Sequence, residues 1–231
     1  EGKRGIKHRR PHQQYAICNK GKHEAVAMPK AFFRNLSDLA NKRAFGTVNV
    51  QYTLVNAEFL ENFLPLMSGT WNLILNDVTI DERLAMPKLS KFLLSAKVQS
   101  LEIDAPRASP AKLPQFLGIF DERFMTAFAA GAKGKPLRFR FYIYDPPKVP
   151  HWTASREFMP YLSRFNYFSL FTMKLQPEHF VEVLQMRLDT ISEKGSWYFS
   201  VTNEVTDEHL EKMDSARYTR EVSDGKYFVK K

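Results

Sequence analysis

The sequence predicts an α/β fold in which β/α units stack into a solenoid with a parallel sheet, and three observations carry that expectation. From Val48 onward, extended apolar segments alternate with amphipathic helical ones. The extended segments start at Val48, Trp71, Val98, Leu137, Tyr167, Trp197 and Tyr227, spacings of 23, 27, 39, 30, 30 and 30 residues. Stacked supersecondary units recur at roughly 20–50 residues, because one such unit cannot bury its apolar face alone. Finally, the strands alternate. Leu137, Phe139, Phe141 and Ile143 point one way, and Arg138, Arg140, Tyr142 and Tyr144 the other. Parallel strands buried on both faces read as continuous apolar runs. Alternation therefore predicts one wet face and favours the solenoid over its alternative, an open three-layer α/β sheet.

Residues 1–28 read as a basic flexible tail, with Gly2, Gly5, Pro11 and Gly21 set among charges and histidines. Residues 29–231 read as a single α/β repeat domain. Its first helix carries Phe32, Phe33, Leu36, Leu39 and Ala40 at spacings of three and four, forming a helical cap over 29–45 that Gly46 ends. After the Val48 strand, Phe59, Phe63 and Met67 line one side of a helix stopped by Gly69. Pro87 opens the next helix, where no backbone donor is lost, with Leu89, Phe92, Leu93 and Ala96 inward. Phe116, Phe120, Phe124 and Phe128 then recur every fourth residue, the strongest apolar stripe in the chain. This unit is longer than its neighbours, which fits an inserted turn or a second short helix. Pro146-Pro147-Lys148-Val149-Pro150 reads as a loop within the domain. Pro177 opens a helix with Phe180, Leu184, Leu188 and Ile191 inward, and Thr206-Asp207-Glu208 starts a last short one.

Composition bounds the functional classes. With 44% hydrophobic and 13% aromatic residues in 231, the chain supplies a sizeable core, and 19 Phe make that core ring-packed. The net charge is +9, yet residues 1–23 hold seven Lys or Arg against one Glu, a net +6. The remaining +3 leaves the body nearly balanced. A basic run attracts nucleic acid, acidic protein or anionic membrane alike. One cysteine, Cys18, excludes an internal disulfide and favours a reducing compartment, cytoplasmic or nuclear. No stretch approaches the roughly 20 apolar residues of a membrane span, and no signal-peptide pattern is present. The chain opens on Glu1 rather than Met, which leaves room for upstream segments.

Chemistry is sparse. The acidic pairs Asp81-Glu82, Asp121-Glu122 and Asp207-Glu208 each fall near a helix start, where carboxylates satisfy free backbone donors. His8, His12 and His23 have no closed zinc spacing, and His151, His179 and His209 stand alone. No glycine-rich phosphate cradle follows a strand, and no Gly-flanked serine of the hydrolase type occurs. No catalytic residue, metal or cofactor is expected, and the chain is not read as an enzyme.

A family resemblance enters through two versions of one phrase. Asn76-Asp77-Val78-Thr79-Ile80-Asp81-Glu82-Arg83-Leu84 and Asn203-Glu204-Val205-Thr206-Asp207-Glu208-His209-Leu210 each follow a strand and enter a helix. The phrase resembles the strand-to-helix turn of leucine-rich repeats. The Phe- and Trp-rich texture and irregular repeat length over about residues 48–231 resemble the leucine-rich-like regions of nematode F-box-associated proteins. An F-box itself is not found in residues 1–47. The resemblance implies an irregular leucine-rich-repeat-like β/α solenoid that recognises substrates for a ubiquitin ligase.

The wet strand face is the candidate contact surface. Arg and Tyr dominate interface energetics, because both bury large areas while keeping a polar handle. Arg138, Arg140, Tyr142 and Tyr144, flanked by Glu102 and Tyr198, are the expected protein-binding patch. The plain reading is a solvated face whose arginines pair with Glu102 and Asp104. The alternative function is nucleic-acid binding, with Lys3, Arg4, Lys7, Arg9 and Arg10 supplying salt-sensitive attraction and the Arg/Tyr strand supplying stacking.

Overall fold

The computed structural model describes residues 14–18, 27–28, 30–42, 46–132, 137–143, 150–190, 196–202, 219–223 and 226–230. In chain order the elements are β1 (Gln14–Cys18), α1 (Lys30–Lys42), β2 (Thr47–Gln51), β3 (Leu54–Val55), α2 (Ala57–Phe63), β4 (Asn72–Asn76), β5 (Thr79–Ile80), α3 (Met86–Ser95) and β6 (Ser100–Asp104). They continue with α4 (Leu113–Leu117), α5 (Glu122–Gly131), β7 (Leu137–Tyr142), β8 (Trp152–Thr153), α6 (Met159–Leu162), β9 (Phe165–Lys174), α7 (Pro177–Thr190), β10 (Ser196–Thr202), β11 (Thr219–Ser223) and β12 (Lys226–Lys230). The fold is α/β with a mostly parallel sheet, ordered β1-β2-β4-β6-β7-β9-β10-β12-β11. Pairing is parallel from β1 to β10, and β12 and β11 close the far edge antiparallel. Along the main path the strands from β1 to β10 join in chain order, while β8 pairs with β9 off that path and β3 with β5 apart from it.

Units along the chain repeat in detail. The strands β2, β4 and β6 share one burial sequence: buried, buried, half-buried, buried, half-buried. Each is followed by a residue in the left-handed region, Tyr52 (φ 50°), Asp77 (φ 48°) and Ala105 (φ 46°). The N–H groups of these corner residues donate to the carbonyls of Asn76, Asp104 and Tyr142 at 3.4, 2.9 and 2.9 Å, each at the end of the next strand. At the other end of the strands, the Gly46 carbonyl accepts from Trp71 and Asn72, and the Trp71 carbonyl accepts from Gln99 and Ser100. Beyond the corners, β3 and β5 pair, and Arg107 bridges to Thr79. Backbone groups that a turn would otherwise strand are thus satisfied by the neighbouring unit.

Aromatic packing joins helices to the apolar side of the sheet. Phe120 is fully buried, with ring centroids 5.5, 5.3, 5.9 and 5.0 Å from Phe116, Phe124, Phe139 and Phe141. The chain of rings continues from Phe139 to Phe168 at 5.9 Å, Phe168 to Phe199 at 5.5 Å, and Phe199 to Phe180 of α7 at 5.7 Å. Each buried Phe is worth roughly 1.5–3 kcal/mol, and each favourable ring pair adds about 0.5–1.5 kcal/mol. The described helices touch in chain order: α1 with α2, α2 with α3, α3 with α5, α5 with α6, and α6 with α7.

Several expectations need correction. Gln14–Cys18, placed in the flexible tail, pairs with Thr47–Gln51 as a strand, so α1 is a crossover helix between two strands rather than a cap. By contrast, the long Phe unit does hold the second short helix the sequence allowed, dividing into α4 and α5 at Gly118, where Asp121 starts the new helix by accepting from the Phe124 N–H at 2.9 Å. Glu122 does not cap. Its carboxylate takes the Ser155 N–H at 2.8 Å and hydroxyl at 2.6 Å, tying the segment after β7 back to α5. Asp81 makes a local turn with the Arg83 N–H at 2.7 Å, and the helix that follows begins only at Met86. The phrase from Asn76 therefore enters a turn. Its second copy, from Asn203, lies outside the described residues, as do residues 146–149 of the proline-rich loop and the helix at Thr206.

Candidate functional site: the polar face of the sheet

Strand alternation sends the Phe side of β7 into the core and leaves Arg138 and Tyr142 exposed, Tyr142 at 41%. Register then lays side chains from different strands into rows. Ser100, Arg138, Tyr167 and Tyr198 stand side by side across β6, β7, β9 and β10. Glu102, Arg140 and Ser169 form the next row, and Asp104 faces Tyr142 in a third.

The first row is a stack. The Arg138 guanidinium carbon sits 5.3 Å from the Tyr167 ring centroid. On Tyr167's other side, the Tyr198 ring is parallel within 13° at a centroid distance of 4.2 Å. Burial, above all, pushes the Tyr167 phenol up to about 12; a charge on Tyr198 and the hydrogen bond to Tyr198 push the same way. Tyr167 is thus a protonated donor at neutral pH. In the neighbouring rows, Arg140 lies 5.6 Å from the Tyr142 centroid and its Nη2 is 3.6 Å from Asp104 Oδ2. At this exposure such an ion pair is worth about 0–1 kcal/mol.

The face is therefore partitioned by strand. β2 and β4 contribute mainly Asn49, Gln51, Ile74 and Asn76; β6 contributes Glu102 and Asp104; β7 contributes the arginines; β9 and β10 contribute the tyrosines. The plain expectation of arginine pairing holds for Arg140 with Asp104. Among the described residues, neither Arg138 nor Glu102 takes part in an ion pair.

Five of the six expected patch residues, Glu102, Arg138, Arg140, Tyr142 and Tyr198, lie on this face. Tyr144 lies outside the described residues, as do Lys3, Arg4, Lys7, Arg9 and Arg10. Sequence reading missed Tyr167 and Ser169, which complete two of the rows. Among the described residues no group of three or more His, Cys, Asp or Glu gathers as a metal site. A cleft of about 510 Å³ at the opposite ends of the strands is lined by Met67, Thr70, Trp71, Ala96 and Gln99, with Lys97 its single titratable side chain among the described residues. It offers no acid–base pair.

No protein-family model, curated protein or solved structure matches the chain. Among the described residues no helix is long and apolar enough to cross a membrane.

Proposed function

We propose that this chain is a protein-recognition scaffold: an irregular, leucine-rich-repeat-like solenoid whose polar strand face grips a protein partner. In the resemblance noted above, that role is the substrate-binding part of an F-box-like ubiquitin-ligase adaptor. The observation that carries the reading is the division of one sheet into a ring-packed side and a side presenting Arg138, Arg140 and Tyr142. Support for a solenoid comes from the strand order, which advances in one direction from β1 to β10. Crossovers of one hand that always step the same way carry their helices to one side of the sheet. The repeated corners at Tyr52, Asp77 and Ala105 add to that support.

The competing reading is nucleic-acid binding through the basic tail and the Arg/Tyr strand. The stack of Arg138 on Tyr167 brings together the two side-chain types such a surface uses. Less favourable to it, the Tyr167 ring is already flanked by Arg138 and Tyr198, so that ring has no face left for a base.

The test is affinity capture with the full chain, with and without nuclease, comparing wild type with the Arg140→Ala/Tyr142→Ala double variant. Protein capture that survives nuclease and is lost in a variant of unchanged melting temperature is expected. Capture that vanishes with nuclease, falls steeply with salt and depends on residues 1–23 would transfer the assignment to nucleic acid.

A further inference from the structure

We infer that the partner presents an extended segment across the strands, with an acidic side chain over the Arg138–Tyr167–Tyr198 row and a basic one two residues away over Glu102. The inference rests on the protein-recognition reading above. It starts from what the row has left to offer. Arg138 covers one side of the Tyr167 ring and Tyr198 the other, so the Tyr167 ring offers its edge rather than a face. The side chains of the row end in guanidinium N–H and phenol O–H groups. Tyr167 stays protonated across the neutral range, so its hydroxyl keeps a proton to share within the row. A guanidinium donor beside phenol hydroxyls selects a charged acceptor, and a carboxylate matches it with short, charge-assisted bonds.

The neighbouring strand sets the rest of the pattern. Asp104 is engaged by Arg140 at 3.6 Å, whereas Glu102 and Arg138 have no ion pair among the described residues. Ser100 faces Arg138 and Glu102 faces Arg140 in register, so Glu102 and Arg138 are diagonal neighbours on adjacent strands. Diagonal positions lie about 7–8 Å apart. Side chains two residues apart on one side of an extended peptide lie about 6.5–7 Å apart. A segment of the form basic-x-acidic therefore spans the two unpaired charges with one residue between. A nucleic-acid strand fits this geometry poorly, because a phosphate chain crossing the arginines would also pass over Glu102 and Asp104.

The experiment probes the full chain against an array of synthetic random-sequence linear peptides. Arg138→Gln, Glu102→Gln and Arg140→Ala/Tyr142→Ala are run in parallel, each checked for an unchanged melting temperature. Wild type should select peptides with Asp or Glu two residues from Lys or Arg. Arg138→Gln should lose the acidic preference, with at least about a tenfold drop in affinity for a selected peptide. Glu102→Gln should lose only the basic preference. Selection without an acidic preference, acidic preference that persists in Arg138→Gln, no peptide binding at all, or displacement of bound peptide by a single-stranded oligonucleotide would each overturn the inference. The underlying reading fails separately, when capture of a folded partner is indifferent to Arg140→Ala/Tyr142→Ala.

Discussion

Phe139 and Arg140 are adjacent in the chain, and truncating each should affect stability very differently. Phe139 is fully buried, its ring 5.9, 6.0 and 5.9 Å from those of Phe120, Phe128 and Phe168. Phe139→Ala removes the transfer free energy of the ring and leaves a cavity among three aromatic neighbours, a loss of about 3–5 kcal/mol. That is a large fraction of a native stability of about 5–15 kcal/mol. Arg140→Ala removes a half-exposed ion pair to Asp104, worth about 0–1 kcal/mol, and a contact with the Tyr142 ring worth about 0.5–1 kcal/mol. The assay is equilibrium urea unfolding, where a slope of about 2–3 kcal/mol per molar converts these into midpoint shifts of about 1–2.5 M and about 0.2–1 M. Should Phe139→Ala fail to fold, Phe139→Leu provides a smaller step on the order of 1–2 kcal/mol. Equal midpoint shifts for the two positions, or a larger one at Arg140, would mean that the polar side is sealed. The assignment of the face to binding would then fall.

Two further outcomes follow from backbone and phenol geometry. Ala105 sits at φ 46°, a region that costs an L-residue about 1–2 kcal/mol, whereas glycine gives back only about 0.5–1 kcal/mol in chain entropy. Ala105→Gly should therefore raise stability by roughly 0.5–1 kcal/mol and Ala105→Val should lower it, as read from thermal melts; a destabilised glycine variant would contradict the corner geometry. Tyr167 carries a raised pKa, so its protonated form contributes stability that is complete below about pH 10, the unfolded value, and is lost as pH climbs through about 12. Two units correspond to at most about 2.7 kcal/mol, less after solvent screening. Unfolding measured between pH 9 and 11.5 should show a decline that Tyr167→Phe flattens, and an identical decline in both proteins would contradict the buried, stacked phenol.

The strands were legible in the sequence because alternation is local: Leu137-Arg138-Phe139-Arg140-Phe141-Tyr142 states its own burial and the structure repeats it. Helix positions were legible for the same reason, with Phe59 and Phe63 of α2 and Phe180 and Leu184 of α7 buried as spaced. What stayed hidden depends on neighbours. Gln14–Cys18 has one short apolar run amid charges and becomes a strand only because Thr47–Gln51 offers an edge. The corners at Tyr52 and Ala105 carry no glycine or asparagine to announce a left-handed residue; carbonyls of the next unit hold them there. The antiparallel closure by β12 and β11 was missed because strand–helix alternation implies parallel pairing, and a hairpin breaks that rule at the end of the sheet.

Tyr167 shows why half of the contact row could not be read in advance. In β9, Phe165 and Phe168 are both fully buried although three residues apart, which an unbroken strand cannot achieve because its sides alternate every residue. The register explains it: Leu137 pairs with Phe165, but Arg138 pairs with Tyr167, so Asn166 is an extra residue on the β9 side. A bulge of this kind inverts the phase of everything after it. Upstream of the shift, even spacing from Phe165 would assign Tyr167 to the core; downstream of it, Tyr167 joins the polar side beside Arg138. The same one-residue shift keeps Phe168 opposite Phe139, so the ring-packed core and the Arg138–Tyr167–Tyr198 stack are consequences of a single irregularity. Periodicity read one strand at a time cannot detect this, since the signal lies in the pairing of β7 with β9 rather than in either segment alone.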